Sequence, residues 1–339
     1  MESEWQNISR DTTEPAEWEW TPVSWTWWTI IQLVLAITGI LGNLLVMLVI
    51  YWPGRRRCAT DILIGALAVA DFLTSIFIIP IPKVAFYPNT SAARFYCKVI
   101  HTSTFMWISI CASIFTLTAI SLERLLAVRF PIWFQRVFSP KSTSIAIIFI
   151  WIAAFGINTR SLYARYISDG KCMLFSPSDA FNIFIGVSLF LVEYVFPVII
   201  MVVAHGWTIC VLRKRRATVL RKAQGQVLQM LVIVVITFII CWTPDQFGFL
   251  VFNLGVVPVT HLFSPLYRCF VILAFANSCV NPFIYAARMP KFRKALKELF
   301  TSKIILGSRG IHSLFAGEGG EGTSEKSDNR SKATETFEA

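Results

Sequence analysis

The stretch that decides the fold runs from Phe95 to Arg129 and reads FYCKVIHTSTFMWISICASIFTLTAISLERLLAVR. Cys97 lies near its start and a Glu123-Arg124 pair near its end, and the run between them is uncharged apart from one lysine beside the cysteine. At about 1.5 Å per helical residue, the interval from Cys97 to Arg124 covers roughly 40 Å, the thickness of a bilayer with its headgroup layers. The stretch therefore predicts a membrane-spanning helix with Cys97 on one side and Arg124 on the other.

The composition of the whole chain also indicates a membrane protein. Of its 339 residues, 55% are hydrophobic and 15% are charged, and the mean hydropathy is +0.61, values unlike those of a soluble globular protein. Seven apolar runs are long enough to cross a bilayer: about Trp27–Tyr51, Ile62–Val84, Val99–Val128, Ser144–Tyr163, Ala180–Leu212, Val227–Phe252 and Phe263–Ala287. They predict an all-α membrane protein, a seven-transmembrane helix bundle whose termini lie on opposite sides.

Lysine and arginine determine the predicted orientation. They concentrate in alternate connections and after the seventh run: Arg55, Arg56 and Arg57; Arg129, Arg136 and Lys141; Arg213, Lys214, Arg215, Arg216, Arg221 and Lys222; and Arg288, Lys291, Arg293, Lys294 and Lys297. By the positive-inside rule these segments are cytoplasmic. Because the net charge of +11 is divided among loops at a membrane, nucleic-acid binding is not expected.

The segments outside the bundle have distinct predicted roles. Residues 1–26 form an acidic extracellular N-terminus without an apparent cleavable signal peptide, and the sequon Asn7-Ile8-Ser9 makes Asn7 a predicted glycosylation site. Residues 27–287 form the seven-helix domain. Residues 288–303, which begin near Pro290, form a short amphipathic eighth helix on the membrane lipid surface. Residues 304–339 are rich in Gly, Ser and Glu and are predicted to be a disordered cytoplasmic tail.

Five of the eight cysteines lie within apolar runs and are expected to be packing residues: Cys111, Cys210, Cys241, Cys269 and Cys279. Cys97 and Cys172 instead fall in predicted extracellular positions, where oxidation is permitted. We predict a disulfide between them, with two free thiols as the alternative. Cys58 falls in a cytoplasmic loop and is expected to be reduced.

Polar side chains at membrane depth predict a site inside the bundle. Asp71 interrupts the second apolar run, and an ionisable group there is expensive to bury without partners. Five further polar side chains fall at matching depths: Asn43, Ser113, Asn277, Ser278 and Asn281. Gathered around Asp71, these groups form an all-oxygen nest for a small hard cation such as sodium. The alternative is a hydrogen-bonded network with water and a protonated Asp71.

Prolines interrupt two of the predicted helices. Pro80 and Pro82 are expected to kink the outer end of the second helix. Pro244 removes a backbone hydrogen bond from the sixth helix. We therefore predict a hinge at Pro244 about which the inner half of the helix swings; the alternative is a fixed kink.

Taken together, the motifs resemble those of the rhodopsin-like (class A) G-protein-coupled receptors, and of their neuropeptide receptors in particular. The resemblance covers about four-fifths of the chain, and its motifs are Gly42-Asn43 with Val46, Leu67-Ala68-Val69-Ala70-Asp71, Cys97, Glu123-Arg124, Trp151, Pro197, Cys241-Trp242-Thr243-Pro244 and Asn281-Pro282-Phe283-Ile284-Tyr285. One motif alone is weak evidence for this family, whereas the full set of motifs, in this order along the chain, is specific to it.

The resemblance implies a role for each of these groups. Asp71, Ser113, Asn277, Ser278 and Asn281 line an allosteric sodium site. Trp242 senses the ligand, and Ile114, Pro197 and Phe238 connect it to the region below. Arg124 and Tyr285 rearrange when the cytoplasmic side opens to a heterotrimeric G protein. The tail is implied to recruit arrestin after phosphorylation at Ser324, Ser327, Ser331, Thr334 and Thr336.

Four positions depart from the family pattern. Leu125 stands where the arginine motif usually has tyrosine, and His205 where a tyrosine usually steadies the open state. Gln224 stands where some relatives carry an acid that restrains the arginine, so high basal signalling is a hypothesis. Cys97 lies two residues further from Arg124 than usual, so the bridge starts in the loop or the outer turn is irregular.

The predicted ligand site lies at the outer mouth of the bundle. Met106 and Phe275 replace the aspartate of amine receptors and the retinal-linking lysine of opsins, so neither an amine ligand nor retinal is expected. Two acids, Glu193 and Asp245, are predicted to face one cavity and favour a cationic group; the alternative is a neutral carboxyl group or a pair with Arg268. The remaining predicted ligand contacts are Met106, His101, Gln246, Tyr267 and Arg268.

The leading prediction for the ligand is a neuropeptide with a basic or amidated end. A small non-peptide ligand, or a receptor with high ligand-free activity, is the alternative. A transporter would show paired repeats with interrupted helices, and we find none in the sequence. An enzyme is not expected either, since no nucleophile and base or metal-ligand spacing is evident. The chain is therefore predicted to be a multi-pass receptor of the plasma membrane.

Overall fold

A computed structural model of the chain describes residues 17–52, 57–175, 177–214, 219–290, 292–299 and 301, without the side chains of 161 and 219–224. Several residues named above lie outside this description. They are Asn7 with most of the acidic N-terminus, Arg55, Arg56, Lys291, the side chain of Gln224 and the tail positions. Contacts divide the chain into one unit that ends at Arg293 and another that begins at Lys294.

Within the described chain, seven helices are long and apolar enough to span a membrane: Trp27–Ile50, Ala59–Phe77, Ser91–Arg129, Pro140–Asn158, Asp179–Lys214, Gly225–Asn253 and Pro265–Arg288. We number these spans one to seven. The sixth belongs to a longer helix, Val219–Asn253. The predicted seven-helix fold of a multi-pass membrane protein is confirmed, and residues 292–299 are helical as expected for the eighth helix.

The third span lies against the second, fourth and fifth spans and forms the centre of the bundle. It consists of a short helix, Ser91–Phe95, a π-helix, Tyr96–Ile100, and a long helix, Thr104–Arg129. We call the end of the bundle at which Cys97 lies the cysteine end, and the end at which Arg124 lies the arginine end. Short helices follow the third and fourth spans, at Pro131–Val137 and Arg160–Tyr163, and a 3-10 helix, Val259–Phe263, precedes the seventh.

The second span is shorter than its apolar run, and the expected kink at its outer end is wrong. The helix ends at Phe77, before Pro80 and Pro82, because neither proline has an amide hydrogen and each restricts the residue before it. The chain then forms strand β2, Lys83–Phe86, which pairs antiparallel with strand β1, Glu19–Thr21. The segment before the first span is thereby fixed to the connection after the second.

The unusual position of Cys97 has a local cause. Cys97 lies in the π-helix, whose wider turns contain more residues than those of an α-helix, and Ser103 adopts a left-handed conformation with φ of 53°. The outer end of the third span is therefore irregular, which accounts for the two-residue offset.

A hairpin of strands β3, Arg165–Ser168, and β4, Lys171–Leu174, carries the second bridged cysteine. Its two turn residues, Asp169 and Gly170, both have positive φ, as a type I′ hairpin turn requires. The predicted disulfide between Cys97 and Cys172 is confirmed, with 5.6 Å between the Cα atoms.

Replacing Gly170 with alanine is expected to lower the apparent melting temperature of the detergent-solubilised protein by several degrees. Gly170 has φ of 69°, and a Cβ atom there would lie 2.0 Å from the Phe86 ring. The left-handed backbone alone costs an alanine about 1–2 kcal/mol. Thermal unfolding checks this, with Gly156→Ala as the control, because a Cβ at that helical position would meet no described atom within 4 Å beyond its own helix backbone and chain neighbours. Equal melting temperatures in the two variants would contradict the prediction.

Candidate functional site

Asp71 is the centre of a polar site buried between the second, third and seventh spans. Its side chain has no solvent exposure. The Ser113 hydroxyl donates a hydrogen bond of 2.8 Å to one carboxylate oxygen, and the Asn281 amide donates one of 2.7 Å to the other. Ser278 is buried in the seventh span, one turn from Asn281. The structure therefore brings together residues that the sequence placed on three separate helices.

Asn43 connects the first span to the same site. Its amide nitrogen donates to the backbone oxygens of Gly39, at 2.9 Å, and Ser278, at 2.8 Å. The side-chain oxygens of Asn43 and Asn281 are buried and receive no hydrogen bond from any described residue. Asn277 is also buried in the seventh span. Carboxylate, hydroxyl and amide oxygens are the ligand types that suit a small hard cation, and the two unpaired amide oxygens are available for one.

A second polar cluster lies at the arginine end. Arg124 forms an ion pair with Glu123, whose side chain is buried, and it also donates to the Thr60 hydroxyl. Thr60 in turn donates a hydrogen bond of 3.1 Å to Glu123. The sequence analysis did not predict a role for Thr60. Its hydroxyl lies in the first turn of the second span, at the same depth as Arg124, and a polar side chain at that depth could have indicated the contact. This cluster holds the arginine against the second span.

His205 has a partner of its own. Its Nε2 atom lies 3.1 Å from the hydroxyl of Ser121, which joins the fifth and third spans. The Nδ1 atom is buried and has no hydrogen-bond partner among the described residues.

The predicted switch residues lie in the bundle interior. Ile114, Pro197, Phe238, Trp242, Pro282 and Tyr285 are all buried. The rings of Phe238 and Trp242 are 6.4 Å apart, and the indole nitrogen of Trp242 has no hydrogen-bond partner among the described residues. Pro244 and Pro282 lie inside the sixth and seventh helices, each of which continues past its proline.

The two acids predicted to share a cavity lie on the fifth and sixth spans. Asp245 is buried in the sixth span, and Tyr267, another predicted ligand contact, is buried in the seventh. Glu193 lies in a second π-helix, Leu191–Val195, which separates the helices Asp179–Phe190 and Phe196–Lys214. The side chain of Glu193 is half-buried. That the two acids face one cavity stays a prediction.

The other predicted ligand contacts lie towards the cysteine end. Met106 and Gln246 are buried, and the guanidinium of Arg268 lies 5.9 Å from the Phe263 ring. The described ion pairs do not include one between Arg268 and Asp245. The Nδ1 atom of His101 is 2.8 Å from the Tyr87 hydroxyl.

An aromatic cluster that sequence reasoning missed lies beside the disulfide. Trp18 stacks on Trp20 with ring centroids 5.6 Å apart, and both indoles pack edge-on against Tyr96. Trp18 also contacts Tyr87, the partner of His101. The segment before the first span is therefore linked by direct contacts to a predicted ligand residue.

Comparisons with known proteins agree with this geometry. Residues 42–285 match the family model of the 7 transmembrane receptor (rhodopsin family). The chain is 28% identical over 277 residues to galanin receptor 2a of Danio rerio, covering 79% of this chain and 76% of that receptor. It is 30% identical over 281 residues to the allatostatin-A receptor of Bombyx mori, covering 78% and 77%. It is also 30% identical over 288 residues to galanin receptor type 3 of Mus musculus, covering 79% and 76%. The chain therefore belongs to the rhodopsin family of seven-transmembrane G-protein-coupled receptors and is a receptor, not an enzyme.

Proposed function

We propose that this receptor binds an extracellular neuropeptide at the cysteine end and activates a heterotrimeric G protein at the arginine end. The observation that carries the proposal is the buried network around Asp71, which joins three spans midway between a ligand-facing mouth and the Arg124 cluster. Its similarity to receptors named for galanin and allatostatin-A supports a peptide ligand. The proposed location is the plasma membrane, with the N-terminus extracellular.

Asp245 favours a peptide with a basic or amidated end. It is buried in the outer half of the sixth span, as are Gln246 beside it and Tyr267 on the seventh span. A carboxylate accepts hydrogen bonds from a cationic or amide group of a ligand.

Replacing Asp245 with asparagine is expected to reduce peptide potency by about tenfold or more, because a hydrogen bond to a charged group contributes roughly 1.5–3 kcal/mol. Second-messenger responses to galanin, allatostatin-A and a panel of amidated peptides measure this. Glu193→Gln is the matched control, because it neutralises the other acid, which lies on the fifth span. Unchanged potency in both variants would remove the two acids from the ligand site.

Exposed apolar residues at the arginine end form a surface to which a partner protein can bind. Ile132 is 73% exposed and Trp133 is 49% exposed on the helix Pro131–Val137, which directly follows the third span. This helix offers a docking surface to the G protein. Arrestin recruitment by the phosphorylated tail and attachment of the 288–303 helix to membrane lipid are further proposals that rest on the sequence.

Sodium is the proposed allosteric ion of the Asp71 site. Asp71, Ser113 and the amide oxygens of Asn43 and Asn281 would hold it, with Asn277 and Ser278 adjoining them. The bound ion would supply positive charge to the carboxylate and stabilise the closed arrangement of these helices. The unpaired buried amide oxygens support this assignment.

High basal signalling is a second hypothesis, motivated by Gln224. The contacts of Arg124 with Glu123 and Thr60 provide some restraint on the arginine. Comparable ligand-free second-messenger levels in Arg124→Ala and the parent would show that the hypothesis is wrong.

A further inference from the structure

A group of cations surrounds His101 at the cysteine end. Lys83 and Arg165 both lie close enough to the His101 ring to act on it electrostatically, and Arg160 acts on Arg165 in the same way. Lys83 belongs to strand β2, Arg165 to strand β3, and Arg160 to the short helix after the fourth span. Three separate connections therefore bring positive charge to one place beside a predicted ligand contact.

The hairpin directs Arg165 towards the third span. Ile167, two residues further along β3, packs against the buried cluster that contains Tyr87 and Cys97. Side chains two residues apart in a strand point to the same face, so Arg165 faces the third span as well. The disulfide fixes the hairpin, and so does a hydrogen bond of 2.9 Å from the Tyr87 amide to the Gly170 oxygen. The Arg165 side chain is accordingly half-buried.

The neighbours of Arg165 are also held in place. The hydroxyl of Tyr87 lies 2.8 Å from Nδ1 of His101. The guanidinium of Arg160 lies 5.5 Å from the Phe181 ring and donates to the side-chain oxygen of Asn182 at 3.4 Å. The Nε atom of Arg160 is buried and has no hydrogen-bond partner among the described residues. Part of the donor capacity of this group is therefore unused.

The positive charge of the group is not compensated. Within the parts of the chain that the structure describes, Lys83, Arg160 and Arg165 form no ion pair. Burial lowers the pKa of the Arg165 guanidinium, and the neighbouring Arg160 lowers it further, because like charges oppose one another. Four acids lie in the described connections and helix starts of this end, and all are exposed: Glu17, Glu19, Asp169 and Asp179. Uncompensated cations held together in this way attract an anion.

We propose that Lys83, His101 and Arg165 form an anion subsite that receives an acidic side chain of the peptide ligand. The proposal rests on the proposed function, since it requires a peptide ligand. A guanidinium can donate two parallel hydrogen bonds to one carboxylate, and the lysine adds a second positive charge. Asp245 remains the proposed contact of the basic or amidated end. The ligand class is thereby narrowed to peptides that carry an acidic residue as well as that end.

A panel of amidated peptides tests the subsite in the full-length receptor. Each peptide is synthesised in three forms that carry glutamate, glutamine or lysine at a single position, and second-messenger potency is measured for each form. The parent is expected to favour the glutamate form of the best set by about tenfold over the glutamine form, the size of one charge-assisted hydrogen bond.

Two substitutions of Arg165 identify the contact. Arg165→Gln is expected to reduce the glutamate preference to about twofold or less, because the two changes remove the same interaction. The potency of the glutamine form is expected to stay at the parent level, which shows that the variant is folded. Arg165→Glu is expected to reverse the preference in favour of the lysine form.

The matched control is Lys171→Gln, which removes a cation from the same hairpin. Lys171 is opposite Ser168 in the strand register, whereas Arg165 is opposite Leu174, so the two cations point to opposite faces. This variant is expected to keep the parent preference. Equal potency of the glutamate and glutamine forms in the parent, or an equal loss of preference in Lys171→Gln, would overturn the anion subsite and leave the peptide ligand standing. No response to any peptide would overturn the proposed function and the subsite with it.

Discussion

Replacing Cys172 with serine is expected to remove most of the folded receptor from the cell surface. The bridge to Cys97 closes a separation of 75 residues, and Cys97 is fully buried in a cluster with Val84, Tyr87 and Ala93. Loss of a native disulfide typically costs about 2–5 kcal/mol. The bridge also holds strand β4 against the third span, so both the hairpin and the aromatic cluster lose their anchor.

Surface immunolabelling and thermal unfolding of the solubilised protein measure the effect of this variant. Cys58→Ser is the control, because Cys58 is an exposed free thiol. The double variant Cys97→Ser/Cys172→Ser is expected to be no less stable than either single variant, since each removes the same bond. Surface levels equal to those of the parent in Cys172→Ser would show that the bridge is dispensable.

Replacing Asp71 with alanine is expected to lower stability by about 2–5 kcal/mol, since each buried donor that loses its partner costs about 1–3 kcal/mol. Ser113 and Asn281 are the two donors affected. Asp71→Asn retains one acceptor oxygen, so it is expected to be less destabilised but to lose any response to sodium. Thermal unfolding in sodium chloride and in choline chloride at equal ionic strength measures both effects.

A double-mutant cycle separates the network from general core damage. Asp71→Ala and Ser113→Ala are expected to be strongly non-additive because they remove the same hydrogen bond. Ser109→Ala is the matched control on the same helix, because the Ser109 hydroxyl donates to the backbone oxygen of Phe105 in its own helix and to no other described residue. Additive effects of Asp71→Ala and Ser113→Ala would contradict the described network.

Long-range features of this fold were predictable where one physical rule dominates. The spans follow from apolar length, since a helix must cross the hydrocarbon layer. The contacts of Asp71 with Ser113 and Asn281 follow from the cost of burying polar groups in a bundle, which brings groups at matching depths together.

Features that depend on local backbone geometry were not predictable. Glu193 lies inside a π-helix, whose wider turns depart from regular helical spacing and have no signal in the sequence. Strand β1 precedes the first span and strand β2 follows the second, so their pairing joins segments that are far apart in the chain. Neither short strand has a recognisable sequence pattern. The shortened second span follows from the same pairing and from Pro80.

Agonist-driven nucleotide exchange on a purified heterotrimeric G protein is the most direct test of the central claim. The parent receptor is expected to accelerate exchange when an activating peptide binds at the cysteine end. Arg124→Ala is expected to lose this acceleration while keeping peptide affinity, because Arg124 lies at the opposite end of the third span. Peptide binding without any exchange in the parent, or peptide-driven solute flux across a membrane, would contradict the account.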